Sequence, residues 1–416
     1  MRIAIIGAGI GGLTAALSLH AAGFGRVTLF EAVPELREIG VGLNLPPHAV
    51  RELTELGLGE ELAKVGVPTD ALDYRDPQGK LIWREPRGLE AGYRWPQYSI
   101  HRGKLQQLLV HAVRERLGPD AIRTGARVAG TTRHPDGRIT VHAPGSPDID
   151  FEMLVAADGI RSAMRDHLAG QVTPLASNGW VMYRGTAEAS PFLGGHTMVI
   201  TGDERQRIVV YPIGDGLQNW LLVRPRDGDK PGAEMGNWNL RVDPSWLAEF
   251  VREWRFDWLD IQELVGNSPA AWEYPMADIS PLPRWTWGRC TLLGDAAHAM
   301  YPFGSNGASQ AIIDARVLAH ALASKGDIEA ALAWYEHERR TATAEVQQAN
   351  RRQAGDVMAK VSALARQAAV DEAANALREV ETRYKKLAGF DVDTLNNRAS
   401  WSIQRQPDNR RRHEDA

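Results

Sequence analysis

Cysteine is almost missing from this chain. Cys290 is the single one among 416 residues, so no internal disulfide can form. It stands in the apolar run Cys290-Thr291-Leu292-Leu293, which reads as a buried, inert thiol rather than a nucleophile. Long hydrophobic runs are missing too. No apolar stretch reaches about 18 residues, the length a membrane-spanning helix needs. Charge of one sign is also scarce: 48 Lys and Arg against 52 Asp and Glu leave a net charge of −4. That balance gives no electrostatic drive toward nucleic acid or an anionic membrane. No internal repeat is visible, which excludes a solenoid. The first expected strand begins at residue 2, so no secretory leader is expected, and a reducing cytoplasm is the expected location.

What is present starts with a glycine-rich turn. Residues 2–6 read as a short buried strand. Gly7-Ala8-Gly9-Ile10-Gly11-Gly12 follows at once and satisfies G-x-G-x-x-G. Leu13 to Ala22 read as a helix, and residues 26–31 as a second strand ending in the acid Glu31. Each part has a physical task. Gly7 permits the tight turn, Gly9 lets backbone approach a pyrophosphate, and Gly12 lets helix pack on strand. The helix N-terminus offers unpaired N–H groups to phosphates, and Glu31 can accept hydrogen bonds from ribose hydroxyls. The turn marks a dinucleotide site without choosing between FAD and NAD.

At this length two domains are expected. Residues 47–64 and 101–117 carry helical periodicity, while 71–97 and 123–157 read as strands. From Gly179 to about Pro275 the pattern is strand-rich, with a helical stretch near 244–265. A buried strand at 290–294, a helix at 307–323 and mostly helical residues 327–385 follow. The tail from Arg405 is polar and carries Arg410-Arg411-Arg412. The nucleotide-type segments 1–70, 98–170 and 276–360 therefore enclose two insertions, 71–97 and 171–275, with a C-terminal helix and polar tail at 361–416. The expected fold class is α/β: a Rossmann-like domain, an inserted antiparallel-sheet substrate domain and C-terminal helices. Nine of the 13 tryptophans lie between residues 180 and 287. Most are expected in a core, and a planar aromatic ligand would account for some of them.

Two later segments add chemistry. Asp158-Gly159-Ile160-Arg161-Ser162 follows an expected strand, with Ser162 placed to cap the next helix. Gly294-Asp295-Ala296-Ala297-His298 also follows a strand and leads into Pro302-Phe303-Gly304-Ser305-Asn306-Gly307-Ala308. A carboxylate at a strand's end can hold a ribityl hydroxyl. A glycine loop opening a helix suits an anionic flavin edge. His298 reads as a cap or structural histidine, and no metal site is expected.

In this order, with Arg102 between the first turn and Asp158, the motifs resemble those of the single-component flavoprotein aromatic hydroxylases of the p-hydroxybenzoate hydroxylase type. Residues 85–92, 96–103 and 274–278 are most similar to the phenazine-carboxylate monooxygenases of that family, with Tyr183 standing where Trp is expected. The resemblance implies FAD as cofactor and NADH or NADPH as co-substrate. It implies FAD contacts from Gly7, Gly9, Ile10, Gly11, Gly12 and Glu31, from Val41, Gly42, Arg102 and Val128, and from Asp158, Gly159 and Arg161. It also implies contacts from Gly294, Asp295, Pro302, Gly304, Asn306, Gly307 and Ala308. The implied reaction transfers one oxygen of O2, through a flavin C4a-hydroperoxide, to a planar aromatic such as a phenazine carboxylate, with or without loss of CO2.

Tyr211, before Pro212, and Tyr183 are candidates to face the substrate, and each also reads as a structural tyrosine. A salicylate-like, quinoline or indole substrate is the alternative, and a non-catalytic FAD or ligand binder is a reading of another class. The flavin halogenase signature is only half present in Trp285-Thr286-Trp287-Gly288, which lacks Ile-Pro. A small aromatic, O2 and NAD(P)H are the expected partners of a monomer or homodimer.

Overall fold

A computed structural model describes residues 1–203, 205–226, 240–353 and 370–401 of the chain. Its first sheet grows from the opening strand. Arg2–Ile6 carries four buried apolar residues in succession, the pattern of a strand covered on both faces. It pairs in parallel with Arg26–Phe30 on one side and Met153–Ala156 on the other. The full order is Thr286–Trp287, Cys290–Leu292, Met153–Ala156, Arg2–Ile6, Arg26–Phe30, Ile122–Arg123. Only the short Thr286–Trp287 hairpin strand runs antiparallel. Helix Ile10–Ala21 follows the first strand and lies beside helix Gly307–Lys325. Their approach is close at Gly11, where a Cβ would stand 2.9 Å from Leu293 Cδ2 and 3.2 Å from Ala311 Cβ.

The second sheet has eight strands. Their order is Leu240–Val242, Ala271–Ile279, Leu175–Glu188, Leu217–Pro225, Arg207–Pro212, Thr197–Gly202, Ala71–Arg75, Leu81–Pro86. All neighbours are antiparallel except Thr197–Gly202 and Ala71–Arg75, which run parallel. Residues 71–86 thus share one sheet with strands from more than a hundred residues later.

Strand alternation gives this sheet two different faces. Val181, Tyr183, Val199, Ile208, Val210, Trp220 and Leu222 point one way into a core closed by helices Pro244–Ala248 and Ile261–Gly266. Their neighbours Met182, Arg184, Met198, Ile200, Arg207, Val209, Tyr211, Leu221 and Val223 point the other way and line a cavity.

Some expectations change here. Residues 47–64 form two helices, Pro47–Glu55 and Gly59–Val65, because the chain turns at Gly57 with φ +73°. The helical stretch near 244–265 is likewise two short helices, each capped by an aspartate, Asp243 and Asp260. The helical C-terminal part comprises Ile328–Gln353 and Val370–Leu387. The tail from Arg405, with the run Arg410-Arg411-Arg412, lies outside the described residues, as does Trp238.

Most described tryptophans serve the core, as expected, and none is a ligand wall. Trp220, Trp246, Trp254 and Trp258 fill the core behind the sheet, Trp285 is buried under the first sheet, and no described tryptophan lines the cavity. The Trp220 ring covers Gly185 on the neighbouring strand, and its Nε1–H donates to Ser268 Oγ at 2.7 Å. A Cβ at Gly185 would stand 2.5 Å from that ring. Gly185→Ala should therefore destabilise the protein by about 1–3 kcal/mol through overpacking. Urea unfolding of the two proteins checks this, and equal midpoints would remove the close contact from the account.

Candidate active site

The cavity measures about 460 Å³ and runs between the two sheets. Its size is that of a small-molecule site. One wall belongs to the dinucleotide elements: Gly9, Ile10, Gly11, Arg102, Ala157, Gly159, and the segments 293–295 and 302–308. The other is the inner face of the eight-stranded sheet. Helix Val370–Leu387 closes the cavity with Leu377, Val380 and Glu381.

The first turn is built as its glycines demand. Gly7 has φ +104°, and a Cβ there would stand 2.4 Å from Ala157 O. At Gly12 a Cβ would lie 2.0 Å from Gly7 O. Gly9 differs: its backbone is extended, and a Cβ would meet nothing within 4 Å. It caps helix Ile10–Ala21 without any side-chain hydrogen bond, so the helix's first N–H groups stay available to a ligand. Glu31 does not line the cavity in this state. Its carboxylate accepts from the N–H groups of Ala8, at 2.8 Å, and Val33, at 3.0 Å, and so ties the turn to the end of the second strand.

Asp295 and Arg102 face the cavity from its dinucleotide side. Both side chains are open to it, and neither has a hydrogen-bond partner among the described residues. Surrounding protein raises the Asp295 pKa by desolvation, against the fields of His298 and Arg102. A carboxylate in that position gains from any hydroxyl donor.

Its backbone is fixed from behind by Asp314. Asp314 is fully buried on helix Gly307–Lys325 and accepts from Gly294 N at 3.0 Å, His298 Nε2 at 2.5 Å and Arg339 Nε at 2.7 Å. Burial would raise its pKa, but His298 and Arg339 outweigh that and hold it at about 2. Gly294 takes φ +63°, ψ −139°, a conformation reserved for glycine.

The loop 302–307 is held from both sides. Asn306 Oδ1 meets His48 Nε2 at 3.0 Å, and its Nδ2 donates to Tyr384 Oη at 2.9 Å. Burial lowers the His48 pKa to about 3, so the ring is neutral and donates. Tyr384 in turn donates to Phe303 O, and its ring fills the space a Cβ at Gly304 would need, 2.3 Å away.

Gly42 is clamped in the same way. Its N–H donates to Asn219 Oδ1 at 2.6 Å, and its C=O accepts from Arg184 Nη2 at 2.7 Å. A Cβ at Gly42 would stand 2.7 Å from both Asn219 and the Tyr211 ring. Burial pushes the Tyr211 hydroxyl up to about 12, against Arg184 and the hydrogen bonds to Arg184 and Asn219.

The expected site residues therefore divide. Gly9, Ile10, Gly11, Gly42, Arg102, Gly159, Gly294, Asp295, Pro302, Gly304, Asn306, Gly307, Ala308 and Tyr211 line one cavity. Gly7, Gly12 and Val41 support it through backbone packing, and Val41 O accepts from Arg102 N. Ser162 caps helix Ala163–Ala169, accepting from Arg165 N, and Asp158 supports that cap by accepting from Ser162 Oγ and Met164 N, outside the lining.

Val128, Arg161 and Tyr183 also lie outside the lining. Val128 is buried in the core of the first sheet, and Arg161 is exposed outside the lining. Tyr183 is removed as a substrate-facing candidate. Alternation turns it into the core, edge-on to Trp246 at 5.6 Å. Sequence reasoning missed Asn219, Arg207, Asp314, His48 and the whole contribution of helix Val370–Leu387. Only Asp314, a charge inside an otherwise apolar helix face, gave a readable signal.

Known proteins resemble this chain over most of its length. The family described as FAD binding domain matches residues 1–350. The phenazine 1,6-dicarboxylic acid hydroxylase PhzS of Lysobacter antibioticus is 46% identical over 363 residues, 84% of this chain and 89% of that protein. The 3-hydroxybenzoate 6-hydroxylase 1 of Aquipseudomonas alcaligenes is 34% identical over 358 residues, 83% and 86% of the two chains. A solved structure of Klebsiella pneumoniae HpxO complexed with FAD and uric acid superposes with a TM-score of 0.78 at 25% identity, covering 93% of this chain and 96% of that one.

Two variants separate the parts of this site. Gly9→Val has room in the protein alone, so it should fold with an unchanged melting temperature yet bind no FAD. A yellow Gly9→Val protein would refute the close approach of a ligand there. Asp295→Ala removes a charged acceptor worth about 1.5–3 kcal/mol, so FAD should dissociate about 10–100-fold more readily. Equal FAD dissociation constants, measured by flavin fluorescence, would contradict this.

Proposed function

The chain belongs to the FAD binding domain family, and from that membership we propose that it is an NAD(P)H-dependent flavin monooxygenase that hydroxylates a planar aromatic acid, a phenazine carboxylate foremost. The observation that carries this reading is one cavity with two kinds of wall. It joins a dinucleotide turn, an unpartnered carboxylate and a glycine loop at a helix start to an apolar sheet face. The residues fit the cofactor. The uncapped start of helix Ile10–Ala21 suits a pyrophosphate, and Asp295 suits a ribityl hydroxyl. Glu31 would exchange its backbone donors for ribose hydroxyls. The start of helix Gly307–Lys325 brings N–H groups and a positive dipole end to an anionic ring edge.

Bound FAD, reduced by NAD(P)H and reoxidised by O2, supplies the oxygen-inserting chemistry. The chain supplies position and dryness. The Arg184–Asn219 clamp fixes Gly42, and with it one edge of the ring site. Met182, Met198, Ile200, Val209, Leu221 and Leu377 exclude water from the space beside it. Tyr211, kept protonated at neutral pH, serves as a hydrogen-bonding hydroxyl rather than a base. An electron-rich ring needs no protein base, and hydroxylation at a carboxyl-bearing carbon releases CO2. A monomer or a homodimer accords with a cavity lined by these elements of one chain. The need for NAD(P)H and the lone buried thiol favour the cytoplasm.

The test is oxidation of NADH and of NADPH, with O2 and peroxide followed together, over phenazine carboxylates, salicylate, 3-hydroxybenzoate, quinolines and indoles. A phenazine carboxylate should speed turnover and gain one oxygen atom, with or without loss of CO2. Conversion of salicylate or an indole instead would move the substrate class. A yellow protein that no compound stimulates would make the chain a binder rather than a hydroxylase.

A further inference from the structure

Accepting the hydroxylase reading of the cavity, we propose that Tyr74 and Glu381 form an acceptor subsite at one end of the substrate wall, which selects aromatic rings carrying a hydrogen-bond donor on the edge that reaches it. The strand register places that end. Arg184, Leu221, Val209, Ile200 and Tyr74 stand opposite one another on five successive strands of the eight-stranded sheet. All five line the cavity. Residues paired in this way share a face, so they form one row across the wall. Neighbouring strands lie about 4.8 Å apart, which sets Arg184 and Tyr74 roughly 19 Å from each other. The row is polar at both ends and apolar between them. A single ring covers only part of it. Three fused rings lying along Leu221, Val209 and Ile200 bring an outer edge to Tyr74.

Glu381 comes to the same end from helix Val370–Leu387. Its Oε1 accepts from Tyr74 Oη at 2.8 Å, and its Oε2 faces Arg87 at 3.5 Å. Burial, with Glu381 and Glu85, raises the Tyr74 pKa well above its usual value, so the hydroxyl keeps its proton and commits it to Glu381. Toward the cavity Tyr74 therefore offers lone pairs only. The Trp83 ring stacks on it at 5.5 Å and holds it in place. Arg87 and Lys385 both pair with Glu85 as well, so two cations balance two carboxylates. Selection at this end works through hydrogen bonds rather than an unmatched charge. Of this cluster only Tyr74 and Glu381 line the cavity, and the Glu381 side chain is 18% exposed. A carboxylate has about four lone-pair positions, so the contacts to Tyr74 and Arg87 leave acceptor capacity. Burial and Glu85 raise the Glu381 pKa, against Arg87, the Tyr74 hydrogen bond and Lys385. A donor on the ligand adds one more contact that favours the ionised form. An amino or hydroxyl group on the ring edge supplies that contact, and a bare C–H edge does not.

The experiment is calorimetric titration of the FAD-loaded protein with phenazine-1-carboxylate and with its amino derivatives, substituted position by position on the outer ring remote from the carboxylate. At least one amino isomer should bind about 10-fold more tightly than the parent compound. Glu381→Gln keeps an acceptor for Tyr74, but Arg87 turns its amide N–H groups toward the cavity. That variant should lose most of the gain, while its affinity for the parent changes little. Tyr74→Phe should lose part of the gain, and it serves if the Gln variant loses FAD. The inference is overturned if no amino isomer binds more tightly than the parent, or if Glu381→Gln keeps the full gain. If the wild type binds no aromatic compound, salicylate and 3-hydroxybenzoate included, the hydroxylase reading falls and this inference with it.

Discussion

The buried carboxylate of Asp314 is the constraint on which the cofactor side of this protein depends. It is taken fully out of water, and such a charge is tolerated only when strongly compensated. Three donors do so: the Gly294 amide, the His298 ring and the Arg339 guanidinium. They come from the turn after strand Cys290–Leu292 and from helix Ile328–Gln353, while Asp314 itself sits mid-helix. Three elements are therefore locked around one charge. The turn that results presents Asp295 outward. One aspartate is spent on structure so that a neighbouring one can stand open to the cavity.

The substrate side rests on a different rule. The eight-stranded sheet has one face packed into a tryptophan-rich core and one face left as a wall. Its period of two decides the duty of every strand residue. Tyr183 and Tyr211 have similar surroundings in the sequence, yet one is core and the other lines the cavity. The bulky tryptophans pack behind the same strands whose opposite face carries the clamp on Gly42.

This explains what could be read in advance. The glycine turn, the Gly-Asp turn and the glycine loop were legible because each is a local backbone demand, met by neighbouring residues in the chain. FAD as the cofactor came with the family resemblance that their order carries. The helix over 101–117 and the strand-rich middle were legible from periodicity. The face of each strand was not, because alternation gives two faces without saying which is covered. Most tryptophans between 180 and 287 read as core, with some left to an aromatic ligand for this reason; Trp220, Trp246, Trp254 and Trp258 pack with the helices at 244–248 and 261–266 instead. Val128 and Arg161 came only with the family likeness, and the cavity does not include them. The role of helix Val370–Leu387 was invisible: nothing near Glu381 in the sequence points to Tyr74, 307 residues earlier.

That last pairing bears on how the site is assembled during synthesis. Tyr384 fills the space over Gly304, and Leu377, Val380 and Glu381 complete a wall whose other parts are made far earlier. A nascent chain that has emerged through the family-matched residues 1–350 already carries the turn for the dinucleotide and the sheet for the substrate. It still has an open side. The compartment closes only once helix Val370–Leu387 has been made, so one wall is completed by segments synthesised some three hundred residues apart.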